Sequence, residues 1–237
     1  MSSLVFDIET IGENFDDLDE VTQQTIIKWS KKDLTNGEDS SLEAQKKDLG
    51  LSPLTGEVIV IGVLDLAKNQ GVVYFRPPDG AAKEFKEGSF LFKPTSEQEM
   101  LENFWQGAQK YEEFISFNGR AFDVPFLMVR SAVHKIRPTK DLLANRYLNL
   151  QPRGAKHIDL QEQLTFYGAM RRKGGLHLWC RSLGIESPKG QGISGEDVGE
   201  LFRRGKQLEI ARYNARDLEA TRDLYKIWRE YMNFNDR

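Results

Sequence analysis

Four acidic residues spread along a chain of 237 residues stand where the local pattern calls for apolar side chains. Asp7 and Glu9 lie in Phe6-Asp7-Ile8-Glu9-Thr10, Asp123 in Asn118-Gly119-Arg120-Ala121-Phe122-Asp123, and Asp217 in Tyr213-Asn214-Ala215-Arg216-Asp217. A buried carboxylate is costly unless it is paired or bound to a metal. Several in one pocket repel each other, and a hard divalent cation such as Mg²⁺ neutralises that charge. The pattern points to a metal-dependent enzyme, and a phosphodiester is a bond that such a site can cut.

Each acid also has a purely structural reading. Leu4 to Glu9 reads as a strand with Leu4, Phe6 and Ile8 on one face and Val5, Asp7 and Glu9 on the other. The two carboxylates are then about 7 Å apart along the strand, near enough to share one ion or bracket two; the structural reading is an exposed strand face. Asp123 opens a predicted helix before Val124-Pro125, where Asp is a favoured cap and Pro a favoured first-turn residue. Helix starts of this kind also attract phosphate, which makes Asn118 a candidate contact. Asp217 interrupts an apolar stripe of Ile210, Tyr213, Asn214, Ala220, Leu224, Ile227, Trp228 and Tyr231, with Tyr213 one turn before it. Its structural reading is a surface pair with Arg216 or Arg222.

The elements that must position these residues follow from periodicity. Strands are expected at Val58 to Leu66, Gly71 to Phe75 and Phe90 to Phe92, and a short buried one at Phe114 to Phe117. Helices are expected at Ser96 to Tyr111 and Asp123 to Ile136, then through a mainly helical second half at Leu160 to Gly168, Leu176 to Leu183, Gly195 to Arg204 and Gln207 to Tyr231. The polar stretch from about residue 12 to 53 reads as an insertion, helical near Glu20 to Lys32, with a mobile tip at Asn36-Gly37-Glu38-Asp39. Strands first, then alternation, then helices suggest one mixed α/β domain over residues 1–237.

Composition narrows the class. Hydrophobic residues make up 39% and charged residues 29%, which fits a folded, water-soluble protein. The longest apolar run, Val58 to Leu64, is too short to span a bilayer. The start, Met1-Ser2-Ser3-Leu4, has no basic n-region, so no secretory signal is expected. A single cysteine, Cys180, precludes an intramolecular disulfide and leaves the cytoplasm as the expected compartment. The net charge of −3 lacks the basic excess common in nucleic-acid binders, but a site that recruits cations through its own acids needs only a local basic rim.

Taken in order, Phe6-Asp7-Ile8-Glu9-Thr10, Asn118-Gly119-x-x-Phe122-Asp123 and Tyr213-x-x-x-Asp217 resemble the three motifs of the DEDD exonuclease superfamily in its tyrosine-bearing form. With Lys189-Gly190 to Ser194-Gly195, the pattern looks most like the stand-alone bacterial proteins related to the proofreading domain of family-B DNA polymerases. The resemblance implies an RNase H-like fold, with a central mixed β-sheet flanked by α-helices. It implies 3′→5′ hydrolysis of single-stranded DNA or RNA, or of a 3′ overhang, releasing nucleoside 5′-monophosphates, in replication or DNA repair beside a partner yet to be identified. Two Mg²⁺ or Mn²⁺ ions about 4 Å apart would clamp the scissile phosphate. Asp7 would bridge them, Glu9 and Asp217 would complete the water-activating site, Asp123 would support the second ion directly or through water, and Tyr213 would orient the attacking water. The rival reading is a nucleic-acid-binding module of the same fold with weak or no catalysis.

Around these acids, Thr10, Asn118, Phe122, Arg171 and Arg172 are the candidate substrate contacts. Phe122 suits stacking on a terminal base, and Arg171-Arg172-Lys173-Gly174-Gly175 suits a phosphate rim; core packing and a solvated charge run are their structural readings. Arg203, Arg204 and Lys206 form a lesser basic cluster. His157 and Asp159 are candidates for the surroundings of the site. His134 and His177 lack partners at zinc-ligand spacing, and Cys180, Trp105, Trp179 and Trp228 read as core.

Overall fold

The computed structural model describes residues 2–33, 48–78, 83–188, 192–193 and 195–234. The tip around Asn36 to Asp39, and Lys189, Gly190 and Ser194, lie outside them. Seven strands form a single mixed sheet: β1 (Ser3–Gly12), β2 (Gly56–Asp65), β3 (Gln70–Phe75), β4 (Phe85–Glu87), β5 (Phe90–Pro94), β6 (Glu113–Ser116) and β7 (Lys156–Asp159). Their spatial order is β4-β5-β3-β2-β1-β6-β7, so the strand carrying Asp7 and Glu9 is interior. β1 runs antiparallel to β2 and parallel to β6. The helices are α1 (Glu20–Asp33), α2 (Glu97–Ala108), α3 (Asp123–Val133), α4 (Leu160–Leu164), α5 (Leu176–Leu183), α6 (Val198–Arg203) and α7 (Gln207–Ile227).

Alternation along β1 divides the core as expected from the pleat. Leu4, Phe6 and Ile8 pack with Met100, Leu101, Phe104 and Trp105 of α2 and Phe126 and Leu127 of α3. Val5 faces the other layer, where Ile210, Leu218 and Leu224 of α7 lie. Asp7 and Glu9 share the Val5 face and so look towards α7. On the opposite face, buried Glu97 fixes how α2 and α3 sit on the sheet. Its carboxylate accepts from the Val58 amide (2.8 Å), from Arg130 Nε and Nη2 of α3 (2.8 and 2.7 Å), and lies 2.7 Å from His134 Nε2.

The polar insertion is an excursion between two paired strands, since Gly12 at its start faces Gly56 just beyond its end. Within it Phe15, Ile26 and Leu49 make a small core of their own. Two strands escape the sequence pattern. β4 has three residues inside a Gly/Pro/Lys-rich connection, and β7 has four inside the half expected to be helical. Neither is long enough to display an alternation. The expected helix at Leu160 to Gly168 is broken after Leu164, and the last helix gives way at Trp228–Met232 to a π-turn that rotates Tyr231 out of the stripe to 65% exposure. Among the described residues no helix is long and apolar enough to cross a membrane.

Candidate active site

Strand β1 outruns its parallel neighbour. It pairs with β6 only at Ser3, Leu4 and Val5, after which β6 ends at Ser116 and the chain turns through Asn118, whose φ is +64°. A Cβ on Gly119 would lie 2.2 Å from Ser116 Oγ, so the turn is built for glycine. The Ile8 amide is thereby left without a strand partner, and Asp123 Oδ1 accepts from it at 3.0 Å. Asp123 is therefore not the cap of its helix: Phe122 occupies that position, with no side-chain cap. Its carboxylate is turned inward, across the gap between the diverging strands.

On the other side of β1, α7 supplies Asp217, Tyr213 and Asn214. Metal-ligating atoms of Asp7, Glu9 and Asp217 all lie within 4.8 Å of one another, Asp7 half-buried and the other two buried. A register shift between Glu9 and Thr10 marks a bulge at this point of the strand, a device that re-aims side chains beside sites. Arg222 pairs with Asp223 (2.9 Å) rather than with Asp217. Arg216 leaves Nε and Nη2 without acceptors and lies 5.8 Å from the centre of the Tyr213 ring.

Two further residues build the site, and sequence reasoning did not assign them to it. Asn214 Nδ2 donates to Asp7 Oδ2 at 2.8 Å, and the same amide hydrogen-bonds Glu9. It reaches them because Gly62, paired with Asp7 across β1 and β2, has no side chain. The available signals were an Asn at a core position of a helical stripe and a lone Gly inside an apolar strand, which marks close approach.

The electrostatics are those of carboxylates forced together. Asp7 is raised well above the usual carboxylate range by burial and then by the charges of Asp123, Asp217 and Glu9. Glu9 is raised well above it by burial and then by Asp217 and Asp123, with the Asn214 hydrogen bond opposing. Asp123 is pushed up to about 7, again chiefly by burial. Among the described residues no Lys or Arg forms an ion pair with Asp7 or Glu9, so the protein offers these two carboxylates no cation of its own. Three hard oxygen donors in such a cluster fit Mg²⁺ or Mn²⁺. Tyr213, raised by burial and by Asp217, Glu9 and Asp7, keeps its proton and shares a hydrogen bond with Asp217.

A stability test follows from the sign of these shifts. Folded values above the unfolded ones, about 4 for Asp and Glu, favour the metal-free fold most at acid pH. That advantage is lost as pH rises through the folded values, about 7 for Asp123. Metal binding competes with those protons. Mg²⁺ or Mn²⁺ at 100 times its dissociation constant should thus raise the melting temperature by roughly 5–10 °C at pH 8 and much less at pH 5. A shift that is absent or independent of pH in differential scanning calorimetry would exclude these acids as ligands.

The surroundings sort themselves. Asp159 caps α4 through the Gln161 and Glu162 amides and also accepts from the Asn118 and Arg120 amides (2.9 and 3.0 Å). It thus pins the turn that delivers Asp123. His157 is buried and pushed down to about 3, chiefly by burial. As a neutral ring it donates from Nδ1 to the Leu142 carbonyl (3.0 Å) and accepts from Ser116 Oγ at Nε2 (2.7 Å), which leaves no nitrogen for a metal. The Thr10 hydroxyl donates to the Gly50 carbonyl (2.6 Å), which ties β1 to the insertion. Phe122 is half-buried with its ring 5.0 Å from that of Phe126. Arg171 and Arg172 are exposed on a loop held to α4 by Gln161 Nε2 and the Gly174 carbonyl (3.4 Å). Arg204 and Lys206 pair at the surface with Glu200 and Glu209. Cys180, Trp105 and Trp228 are buried, and Trp179 packs against the core at its edge.

Comparison with known proteins agrees with this architecture. The structure resembles that of the family B DNA polymerase from the hyperthermophilic archaeon Pyrobaculum calidifontis, with a TM-score of 0.58 at 16% identity. The match covers 96% of this chain and 24% of the polymerase, so the chain spans about a quarter of that protein's length. The shared fold is the RNase H-like arrangement of a mixed sheet flanked by helices. No curated protein matches the chain. Residues 79–237, which include Asp123, Tyr213 and Asp217, match a family described as a predicted 3′-5′ exonuclease related to the exonuclease domain of PolB, and the chain belongs to that family.

Proposed function

We propose that this protein is a metal-dependent 3′→5′ exonuclease that removes nucleoside 5′-monophosphates from the 3′ end of single-stranded DNA or RNA. The observation that carries the reading is the meeting of Asp7, Glu9 and Asp217 within 4.8 Å, from strand and helix at opposite ends of the sequence. Two Mg²⁺ or Mn²⁺ ions held by these acids would stabilise both the attacking and the leaving oxygen of the phosphodiester. Asp7, within 4.8 Å of both Glu9 and Asp217, is the carboxylate that would face both ions. Asp123 spends one oxygen on the Ile8 amide, which holds the strand end, and its other oxygen would support the second ion directly or through water.

Tyr213 stays protonated at neutral pH, since every influence on it raises its pKa. It orients the attacking water through its hydroxyl and does not remove the proton. Purified protein with Mg²⁺ or Mn²⁺ should shorten a 5′-labelled single strand one nucleotide at a time. A wild type that binds oligonucleotide yet cleaves it with neither metal would make the chain a binding module. Tyr213→Phe should lower turnover about 10²-fold, the scale of a lost positioning contact, while the Mg²⁺-induced shift in melting temperature stays intact. An unchanged rate would remove Tyr213 from the chemistry.

A further inference from the structure

Away from the acids, the backbone is most strained at Phe166 and Tyr167, with φ of +51° and +55°. Bulky side chains rarely enter this left-handed region, and two in succession persist only where surrounding contacts hold them. Those contacts are present. The Tyr167 hydroxyl accepts from Gln163 Nε2 at 2.9 Å, its ring lies 4.9 Å from that of Tyr147, and the Arg146 guanidinium sits 5.9 Å from its centre. The result is that Phe166 is turned outward, 52% exposed, with Tyr147 at 48%. A few residues on, Arg171 and Arg172 are exposed and form no ion pair among the described residues.

Held aromatic faces beside unpaired guanidinium groups are complementary to a single-stranded polynucleotide, whose bases stack and whose phosphates seek cations. A chain of ion pairs also ties the patch to the turn that leads to the active site. Glu162 of α4 joins Arg146 (2.7 Å) to Arg120 (3.5 Å), and Arg120 belongs to the turn, pinned by Asp159, that leads to Asp123. We propose that Phe166, Tyr167 and Tyr147, with Arg171 and Arg172, form a stacking platform that holds the strand behind its reacting 3′ end. This deepens the nuclease reading and rests on it for the direction of the strand.

Phe166→Gly tests the platform, because it removes the exposed ring and relaxes the strained backbone, so the fold is not at risk. Binding is read by fluorescence anisotropy of a labelled dT12, with Ca²⁺ in place of Mg²⁺, beside a 12-mer lacking its internal bases. The variant should melt no lower than wild type, bind dT12 about tenfold more weakly, and bind the abasic strand as wild type does. Phe166→Trp should restore the dT12 affinity, and turnover of a dinucleotide should be the same in all three proteins. Equal dT12 affinity in wild type and Phe166→Gly, or an equal loss on the abasic strand, overturns the platform even if cleavage is normal. A wild type that never cleaves, yet shows the Phe166-dependent affinity, removes the nuclease and keeps the platform.

Discussion

In metal-free buffer at pH 8, Asp7→Asn should raise the melting temperature of the protein while abolishing its cleavage of single strands. The two effects have one cause. Asp7 is destabilised as an anion by burial and by three neighbouring carboxylates, and the amide is neutral. It can still accept from Asn214 in place of the bond at 2.8 Å. Each kcal/mol of relieved repulsion should appear as about 2–4 °C in a domain of this size. With saturating Mg²⁺ the order should reverse, because the wild type gains a bound ion and the variant does not. Metal ions supply several kcal/mol of transition-state stabilisation, and each 1.36 kcal/mol is tenfold, so cleavage should fall by about 10³-fold or more. Calorimetry with and without Mg²⁺, beside a labelled-strand assay, decides the matter. A variant that keeps cleavage within tenfold of wild type, or melts below it in EDTA, would be incompatible with the site described.

Gly62→Ala should damage activity through a residue that touches neither metal nor substrate. The added Cβ would lie 1.9 Å from Asn214 Oδ1 and 2.7 Å from Leu218 Cδ1. An Asn at the surface would swing aside at small cost, but this one is fully buried and hydrogen-bonded to Asp7. Yielding means breaking that bond and loosening the Glu9 contact as well. Overpacking of this kind costs about 1–3 kcal/mol, seen as a loss of roughly 2–12 °C in melting temperature. Misorientation of metal ligands typically costs about 10–100-fold in affinity or activity. Titration of Mg²⁺ against cleavage rate should show a weaker apparent affinity in Gly62→Ala; an unchanged titration would mean that Asn214 does not orient the acids.

How much of this was legible in the sequence differs residue by residue. Asp7 and Glu9 could be placed on one face because a strand alternates whatever its neighbours do, and Asp217 because it breaks a stripe. Asp123 could not, because its partner is a backbone amide 115 residues away, freed only because one strand ends before another. A local rule offered helix capping beside the site reading, and the tertiary structure replaces the cap with a bond to the Ile8 amide. Asp159 gathers four amides from two segments, an arrangement no spacing reveals. The left-handed pair at Phe166 and Tyr167 runs against residue preference, so it was invisible to pattern. The fold was more legible than the site's supports, since each helix described above announces itself by periodicity or polarity breaks, while strands as short as β4 and β7 do not.

The hydrogen bond from Asn214 to Asp7 spans 207 residues, and this separation bears on biosynthesis. Contacts so distant in sequence carry a large closure cost and form late in folding. A ribosome that has made Asp7 must add some two hundred residues, about 10–40 s at ordinary rates of synthesis, before the helix carrying Asn214 and Asp217 can dock. Until then the nascent chain bears its first two acids without the third. On the proposed function, the site is thus kept incomplete by the order of translation itself until the last helix has been made. In refolding experiments the recovery of Mg²⁺ binding should accordingly coincide with docking of α7, not with formation of the sheet.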